Sequence, residues 1–303
     1  LANENTFKEV AKKQFDLLDE SMLKVGFEAF GTNMVSDMVN ARGGYPSRNW
    51  QQGVFEQIDE VSAQALTDKV FVKGVNCFAC PISCGRGTEI REGQWAGRSG
   101  EGPEYETTNT LGAQCDVADM NAITMANYLC NEYGLDTITA GSTIAFAMEC
   151  YEKGILADEQ TDGLALKFGD GELVVSLIDK IARREGIGDL LAEGSRVMSQ
   201  KLGQGSEHFA MHVKGLELPA YDPRAAKITG LSYVTANRGG DHITAYVQGP
   251  TFIDAPFLLV EDSSIADPFV ANPKEAKVVI DLENALTMFD CIGGCKFMGI
   301  LLP

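Results

Sequence analysis

Residues 117–154 read VADMNAITMANYLCNEYGLDTITAGSTIAFAMECYEKG. Apolar side chains recur here with helical spacing, and Asp116 is a candidate N-cap for a helix from Val117 to Tyr133. The glycine after Tyr133 fits the position where a left-handed residue commonly ends a helix. Asp136 is then the candidate N-cap of a second helix, which ends before Gly154. The stretch therefore predicts two consecutive helices joined by a short turn.

Similar helical patterns lie on both sides of this pair, so the fold is predicted to be mainly α and multihelical, with little strand. Two helical domains are expected, over residues 1–185 and 186–303. Residues 75–105 are rich in Gly and Cys and are predicted to be irregular, whereas residues 208–218 alternate as an extended segment does. Further helices are predicted at 5–30, 174–185, 189–202 and 273–291.

Composition and charge limit the classes of function. The chain has 303 residues, 45% of them hydrophobic, and 25 Lys and Arg against 43 Asp and Glu give a net charge of −18. An acidic chain is a poor general binder of nucleic acid or of anionic membranes, and no apolar run reaches the roughly 18 residues of a spanning helix. The N-terminus has neither Met nor a signal-peptide pattern, so we expect the chain to begin inside a longer, cytoplasmic polypeptide.

Three of the eight cysteines lie close together in Cys77-Phe-Ala-Cys80-Pro-Ile-Ser-Cys84. This spacing is typical of metal ligands, and a fourth ligand must come from elsewhere in the chain. Fe–S clusters take sets of four cysteines, whereas zinc sites more often combine two short hooks. The spacing favours an Fe–S cluster and leaves structural zinc as the alternative. Cys295 is the preferred fourth ligand, because it follows a Gly-Gly break at the end of the last predicted helix.

The remaining cysteines give weaker signals. Cys130 and Cys150 lie in apolar helical surroundings and are expected to be buried, where a thiol acts as a small hydrophobic group. Cys115 is open to two interpretations, a buried thiol or a thiolate near a metal.

Two predicted helices end in similar motifs. Asn131-Glu-Tyr-Gly-Leu-Asp136 ends one helix, and Asp290-Cys-Ile-Gly-Gly294-Cys295 ends the last one. A left-handed Gly after a helix exposes backbone groups, and an Asx side chain nearby adds a hydrogen-bond acceptor. Such a pair can hold two copies of a flat, hydrogen-bonding ligand. The alternative is two ordinary Gly-capped helices.

Together these motifs resemble those of the aldehyde ferredoxin oxidoreductases, in the order in which that family has them. The family carries a tungsten (sometimes molybdenum) bis-pyranopterin and one [4Fe-4S] cluster. It oxidises aldehydes to carboxylic acids and passes the electrons to ferredoxin. The matching segments are Cys77–Arg86, Gly102–Thr107, Asn131–Asp136, His212–Arg224 and Asp290–Phe297.

The resemblance implies a role for each matching residue. Asn131 and Gly294 stand where the family motifs have Asp and Leu, so Asn131 keeps an acceptor but loses the charge. The implied cluster ligands are Cys77, Cys80, Cys84 and Cys295. The implied pterin contacts are Asn131, Leu135, Asp136, Lys214, Asp290 and Gly294. The implied catalytic residues near the metal are Glu106 and His212.

The expected mechanism assigns one task to each candidate catalytic residue. Glu106 takes a proton from the nucleophilic water, and His212 donates a hydrogen bond to the aldehyde oxygen. Without the resemblance, Glu106 would be interpreted as a surface carboxylate and His212 as a structural histidine. His242, in Asn237-Arg-Gly-Gly-Asp-His242, is given no role beyond support of the cofactor.

Family members are much longer than this chain. The chain is therefore expected to be a fragment that carries the helical second domain and part of the third, without the N-terminal β domain. One alternative function is a reductase subunit of the same family that acts on an aromatic acyl-CoA thioester. Another is a zinc-stabilised helical interaction domain without redox chemistry. Expected partners are ferredoxin or a similar electron carrier, a small aldehyde and a second copy of the chain in a homodimer.

Overall fold

The computed structural model describes residues 3–253, 265 and 267–301, and they are mainly helical, as predicted. The first helices are α1 Glu4–Asp19, α2 Met22–Phe30, α3 Ser36–Ala41, α4 Ala63–Lys69, α5 Tyr105–Thr110, α6 Met120–Tyr133 and α7 Thr137–Glu152. They are followed by α8 Gly171–Arg183, α9 Ile187–Leu191, α10 Gly194–Leu202, α11 Lys227–Thr235, α12 Gln248–Phe252, α13 Pro273–Cys291 and α14 Lys296–Leu301. The strands are β1 Phe71–Val75, β2 Gly85–Glu89, β3 Ser99–Glu101, β4 His212–Val213 and β5 Leu216–Glu217.

The helix pair α6–α7 has the predicted turn between its members. Gly134 is left-handed at the end of α6, and the Asp136 carboxylate accepts a hydrogen bond of 2.7 Å from Thr139 N–H at the start of α7. The predicted start of α6 was wrong by three residues. Asp116 is itself left-handed, and the side chain of Asp119 caps the helix instead. A left-handed residue cannot serve as an N-cap, which needs extended backbone.

Two other predicted helices are each divided in the structure. The segment 5–30 forms α1 and α2, because the Ser21 side chain accepts the Lys24 N–H and begins a new helix. The segment 189–202 belongs to α9 and α10, which are separated at a left-handed Gly194. The buried Glu217 carboxylate accepts the Ser195 N–H at 2.7 Å, so a partner distant in sequence fixes that second break. The helix predicted at 273–291 has those bounds.

Strand content is greater than predicted in one segment and smaller in another. The segment 75–105 was predicted to be irregular, yet it contains β2 and β3, and the antiparallel sheet has the order β1-β2-β3. The segment 208–218 is extended only at β4 and β5, which form a hairpin around left-handed Lys214 and Gly215. The cysteine-rich segment thus connects two paired strands.

The main hydrophobic core runs from Val35 to Phe252 along the chain and includes α6, α7 and α8. A smaller core lies between α11, α13 and α14. Cys130 and Cys150 are buried, as predicted. The domain division at residue 185 stays a prediction. In the part of the chain that the structure describes, no helix has both the length and the apolar character needed to cross a membrane.

Close packing of α7 on α5 generates the first testable prediction. A Cβ atom at Gly141 would lie 2.5 Å from the backbone of Thr110, so Gly141→Ala must displace α5 or α7. We expect a loss of about 1–3 kcal/mol in the free energy of unfolding, measured by denaturant titration. Gly26→Ala is the matched control, because its new methyl meets only the mobile end of the Met34 side chain. Equal losses in the two variants would contradict this account.

Candidate functional site

Glu106 is a buried carboxyl group in the first turn of α5, and the interpretation of it as a surface carboxylate is wrong. Its side chain is only 12% exposed. One oxygen, Oε2, accepts a hydrogen bond of 2.7 Å from the backbone N–H of Ala220. The other oxygen, Oε1, is buried and has no hydrogen-bond partner. A buried polar atom without a partner is costly, and it marks a position where a proton or a ligand can be bound.

His242 faces the unpartnered oxygen of Glu106. Its Nε2 atom lies 3.5 Å from Glu106 Oε1, and its side chain is 17% exposed. Aromatic rings close this side of the site, since the Tyr221 ring centroid lies 5.9 Å from that of His242 and 4.9 Å from that of Tyr105. The Phe252 ring packs against Tyr221 from a third direction, at 5.6 Å. Carboxyl and imidazole therefore meet in apolar surroundings.

Burial controls the protonation of both groups. It raises the pKa of Glu106 to about 8, with further increases from the charges of Asp136 and Asp241. Burial lowers the pKa of His242 to about 4, although the charge of Asp241 acts in the opposite direction. Both effects follow because a low-dielectric environment disfavours the charged form of each group. At neutral pH the facing pair therefore consists of a protonated carboxyl and a neutral imidazole.

The first helix-end motif lies beside Glu106. The Thr107 and Thr137 hydroxyls are hydrogen-bonded at 2.8 Å, which ties α5 to the start of α7. Asp136 caps α7 and contributes its charge to the environments of both Glu106 and His242. Leu135 is half-buried against the main core, and Asn131 is exposed on α6. Their pterin contacts stay predictions.

The second helix-end motif approaches the same place through Lys296. The Lys296 ammonium lies 3.0 Å from the Asp290 carboxylate and donates a hydrogen bond of 2.8 Å to the carbonyl of Ile243, the residue after His242. Gly294 N–H donates to Phe289 O at 2.7 Å, which closes the end of α13. Asp136 of the first motif and Lys296, which directly follows the second, thus both lie near the Glu106–His242 pair.

His212 and Lys214 lie in the β4–β5 hairpin. His212 is opposite Glu217 in the ladder, and burial lowers its pKa. The Lys214 ammonium donates to the carbonyl of Ala236 at 2.6 Å. Among the described residues, no hydrogen bond or ion pair joins His212 to Glu106. Its catalytic role stays a prediction, and His242 is the histidine that the structure brings to Glu106.

The sequence contained only a weak signal for the pairing of Glu106 with His242. That signal is the segment Asn237-Arg-Gly-Gly-Asp241, which directly precedes His242 in the chain. In the structure the Asp241 carboxylate accepts the N–H groups of Ile243 and Thr244 at 2.6 and 2.8 Å, which fixes the backbone that carries His242. An Asp that binds the amides two and three residues ahead is a local turn motif. That motif predicts a rigid histidine, but it does not predict which carboxyl faces it.

The cysteine hook, which is the segment Cys77–Cys84, connects β1 to β2, and Cys295 immediately precedes α14. Cys80 and Cys84 pack in one small apolar cluster with Phe297 and Met298, two and three residues beyond Cys295. Burial raises the pKa of Cys84 to about 11, and the charges of Cys295 and Cys80 raise it further. The fold therefore brings the remote cysteine near the hook, as the choice of Cys295 requires.

All four candidate cluster cysteines are free thiols. Cys77 and Cys295 are exposed, whereas Cys80 and Cys84 are half-buried. Within the described ranges, no set of three or more Cys, His, Asp or Glu side chains is arranged around a point as the donors of one metal ion would be. The assignment of these thiols to a cluster stays a prediction.

Cys115 is fully buried between α5 and α7. Its thiol contacts the carbonyls of Thr110 at 3.5 Å and Gly141 at 3.6 Å, and burial raises its pKa well above the ordinary value. These surroundings favour the neutral thiol.

Comparisons with known proteins agree with this architecture. The family model described as aldehyde ferredoxin oxidoreductase, domains 2 and 3, matches residues 9–302. The tungsten-containing aldehyde ferredoxin oxidoreductase of Pyrococcus abyssi is 39% identical over 301 residues, which are 98% of this chain and 47% of that protein. The enzyme of the same name from Thermococcus kodakarensis is 38% identical over 299 residues, with the same coverage.

A solved structure has a similar fold. It is the active-site complex BamBC of benzoyl coenzyme A reductase with 1,5-dienoyl-CoA. The TM-score is 0.65 at 23% identity, over 83% of this chain and 42% of that one. The chain belongs to the aldehyde ferredoxin oxidoreductase family, and it matches the model of that family's domains 2 and 3. It spans about half the length of the curated relatives that it matches.

The shifted pKa values predict a pH-dependent stability. The pKa of Glu106 is higher in the folded state than its ordinary 4.5, so its contribution to stability is present at low pH and is lost as pH rises through about 8. The pKa of His242 is lower than its ordinary 6.5, so its contribution is present above pH 6.5 and is lost as pH falls through about 4. Between pH 6.5 and 8.5 only the Glu106 contribution changes.

The variant Glu106→Gln tests this assignment, because it resembles the protonated carboxyl in shape but cannot ionise. We expect the thermal midpoint of the metal-free wild-type protein to fall from pH 6.5 to 8.5, and that of the variant to fall less. Glu207→Gln, at an exposed carboxylate, is the control. Parallel pH profiles for all three proteins would show that Glu106 does not titrate in this range.

Proposed function

We propose that the chain is the helical part of a tungsten or molybdenum pyranopterin oxidoreductase that oxidises aldehydes to carboxylic acids. The observation that carries the proposal is the buried Glu106–His242 pair, with its unpartnered carboxyl oxygen and with Asp136 and Lys296 as neighbouring charges. Relatives named tungsten-containing aldehyde ferredoxin oxidoreductases support the choice of reaction. A [4Fe-4S] cluster, held by Cys77, Cys80, Cys84 and Cys295, would supply the electron path to ferredoxin, and a homodimer is the proposed assembly.

The residues present fit these cofactors in their donor chemistry. Four free thiols, Cys77, Cys80, Cys84 and Cys295, form the set that an Fe–S cluster takes. Asp136 and Asp290 supply acceptors at the two helix ends, and Lys214 and Lys296 supply cations. When bound, the metal pyranopterin supplies a sink for two electrons.

The reaction converts an aldehyde and water into a carboxylic acid with release of two electrons and two protons. Glu106 is suited to move one of these protons at Oε1, since a pKa of about 8 lies close to a neutral working pH. The Ala220 N–H holds the other carboxyl oxygen and so fixes the direction of Oε1. His242 is neutral and can donate a hydrogen bond to the carbonyl oxygen of the substrate without adding a positive charge. The Tyr221 ring packs beside His242, and the Phe252 ring packs against Tyr221, so the pair has apolar surroundings on this side.

Substitution of each member of the pair tests this assignment. In the enzyme purified anaerobically at its native length, Glu106→Gln and His242→Gln are each expected to lower kcat for aldehyde oxidation by about 10²–10³-fold. Iron and tungsten contents should persist, because neither residue is a proposed metal ligand. Turnover close to wild type in either variant would remove that residue from the mechanism.

His212→Ala, measured in parallel, separates the two histidines. The resemblance assigns the metal-proximal role to His212, whereas the contacts of Glu106 assign it to His242. A large loss of kcat in His212→Ala with a normal rate in His242→Gln would reverse the assignment that we propose.

Elemental analysis tests the cofactor assignment. We expect about four irons per chain, as one [4Fe-4S] cluster requires, together with tungsten or molybdenum. Cys295→Ser should lose most of the iron, and Cys150→Ser, at a buried cysteine outside the hook, should keep it. Zinc in place of iron would favour the structural-zinc alternative and contradict the proposal.

A substrate screen separates the proposed reaction from its nearest alternative. The fold likeness to a benzoyl coenzyme A reductase complex makes an aromatic acyl-CoA thioester the competing substrate class. Turnover of small aldehydes, and none of aryl-CoA thioesters, is the expected result. The opposite preference would assign the chain to a reductase subunit.

A further inference from the structure

Arg86 is a fully buried cation at the end of the cysteine hook. Its side chain is among the largest that are completely enclosed, with 1% of the residue exposed. Its guanidinium makes five hydrogen bonds, all to backbone carbonyls. The acceptors are Phe27, Glu28 and Ala29 on one side and Ser83 and Gly85 on the other.

These two groups of carbonyls belong to different elements. Phe27, Glu28 and Ala29 lie in the last turn of α2, where the Phe27 carbonyl also accepts the N–H of Gly31 and the carbonyls of Glu28 and Ala29 have no partner within the helix. Ser83 and Gly85 flank Cys84 in the chain. The planar fork of Arg86 therefore joins the end of α2 to the backbone on both sides of a candidate cluster ligand.

The residue that follows α2 packs closely against the Cys84 backbone and the Arg86 side chain. A Cβ atom at Gly31, just after α2, would lie 2.8 Å from the carbonyl oxygen of Cys84 and 3.3 Å from Arg86 Nε. Gly31 also has a left-handed backbone, with φ of 63°. The segment that carries Cys84 is thus in direct contact with α2.

The charge of Arg86 has no close counter-ion in the part of the chain that the structure describes. Carbonyl oxygens accept its hydrogen bonds, and the Phe71 ring lies 5.0 Å from the guanidinium carbon. The acidic groups that interact with it at longer range are Glu104, Glu28 and the thiol of Cys84. Burial raises the pKa of Glu104, which favours its neutral form. A guanidinium stays charged in proteins, and a buried charge is costly unless an anion balances it.

We propose that Arg86 is the counter-cation of the thiolate centre formed by Cys77, Cys80, Cys84 and Cys295, and that it positions the Cys84 backbone and raises the reduction potential of the cluster. This inference rests on the [4Fe-4S] cluster of the proposed function. Four thiolates give such a centre negative charge, and reduction adds an electron. A fixed cation nearby stabilises the reduced state more than the oxidised one.

Two variants of Arg86 separate its charge from its hydrogen bonds, and a second arginine serves as control. Arg86→Lys keeps the positive charge but loses the planar guanidinium and most of its hydrogen bonds, whereas Arg86→Gln loses the charge. Arg91 is exposed and also donates to three backbone carbonyls, those of Asp68, Lys69 and Phe71. Arg91→Gln therefore removes a comparable set of hydrogen bonds without removing a buried charge.

The readouts are iron content and the midpoint potential of the cluster, measured by redox titration with electron paramagnetic resonance on the anaerobically purified native-length protein. We expect Arg86→Gln to shift the potential to more negative values or, if the loop opens, to lose most of its iron. Arg86→Lys should keep more iron and a potential closer to wild type. Arg91→Gln should match wild type in both readouts.

Two results would overturn the inference. One is a wild-type iron content and potential in Arg86→Gln. The other is the same change in Arg86→Lys and Arg86→Gln, which would show that the positive charge has no effect of its own. A wild-type protein that holds zinc and no iron would instead refute the proposed cluster, so the two failures are distinguishable.

Discussion

Both backbone groups of Ala220 are bound by consecutive side chains of α5. The Tyr105 hydroxyl donates to Ala220 O at 2.6 Å, and Ala220 N–H donates to Glu106 Oε2 at 2.7 Å. These hydrogen bonds join residues more than a hundred positions apart and hold the chain after β5 against α5. Tyr221, the residue after Ala220, stacks on the Tyr105 ring and also packs beside the His242 ring. The candidate site therefore depends on a contact between one short helix and one loop.

The same junction produces the electrostatic character of the site. Glu106 is buried where its carboxyl group binds the Ala220 N–H, and burial raises its pKa. His242 packs beside the Tyr221 ring, and burial lowers its pKa. An exposed pair of these residue types would form an ordinary ion pair at neutral pH, worth little in stability. Burial instead favours a protonated carboxyl group that faces a neutral imidazole.

Local signals in the sequence were sufficient for several elements. Gly134, Asp136 and the bounds of α13 were predicted because caps and helix breaks involve residues within one turn of each other. Asp116 was predicted as the cap of α6, whereas Asp119 caps it, because residue type alone does not show which residue has the extended backbone that an N-cap needs. The break before α10 was missed because Glu217, which binds the Ser195 N–H, lies 22 positions away. The paired strands β2 and β3 were missed because glycine-rich strands have a weak propensity pattern.

The sequence by itself determined the family motifs, the mainly helical class and the cysteine hook. Each depends on residue type and spacing, which the chain contains directly. Only the tertiary structure decided that His242, rather than His212, faces Glu106, and that Arg86 lies buried against the Cys84 backbone. These pairings join segments far apart in sequence, and which side chains meet depends on how α2, α5 and the loops after β5 pack. The protonation of the pair follows from the same packing, because a pKa depends on burial and on neighbouring charges that no local pattern contains.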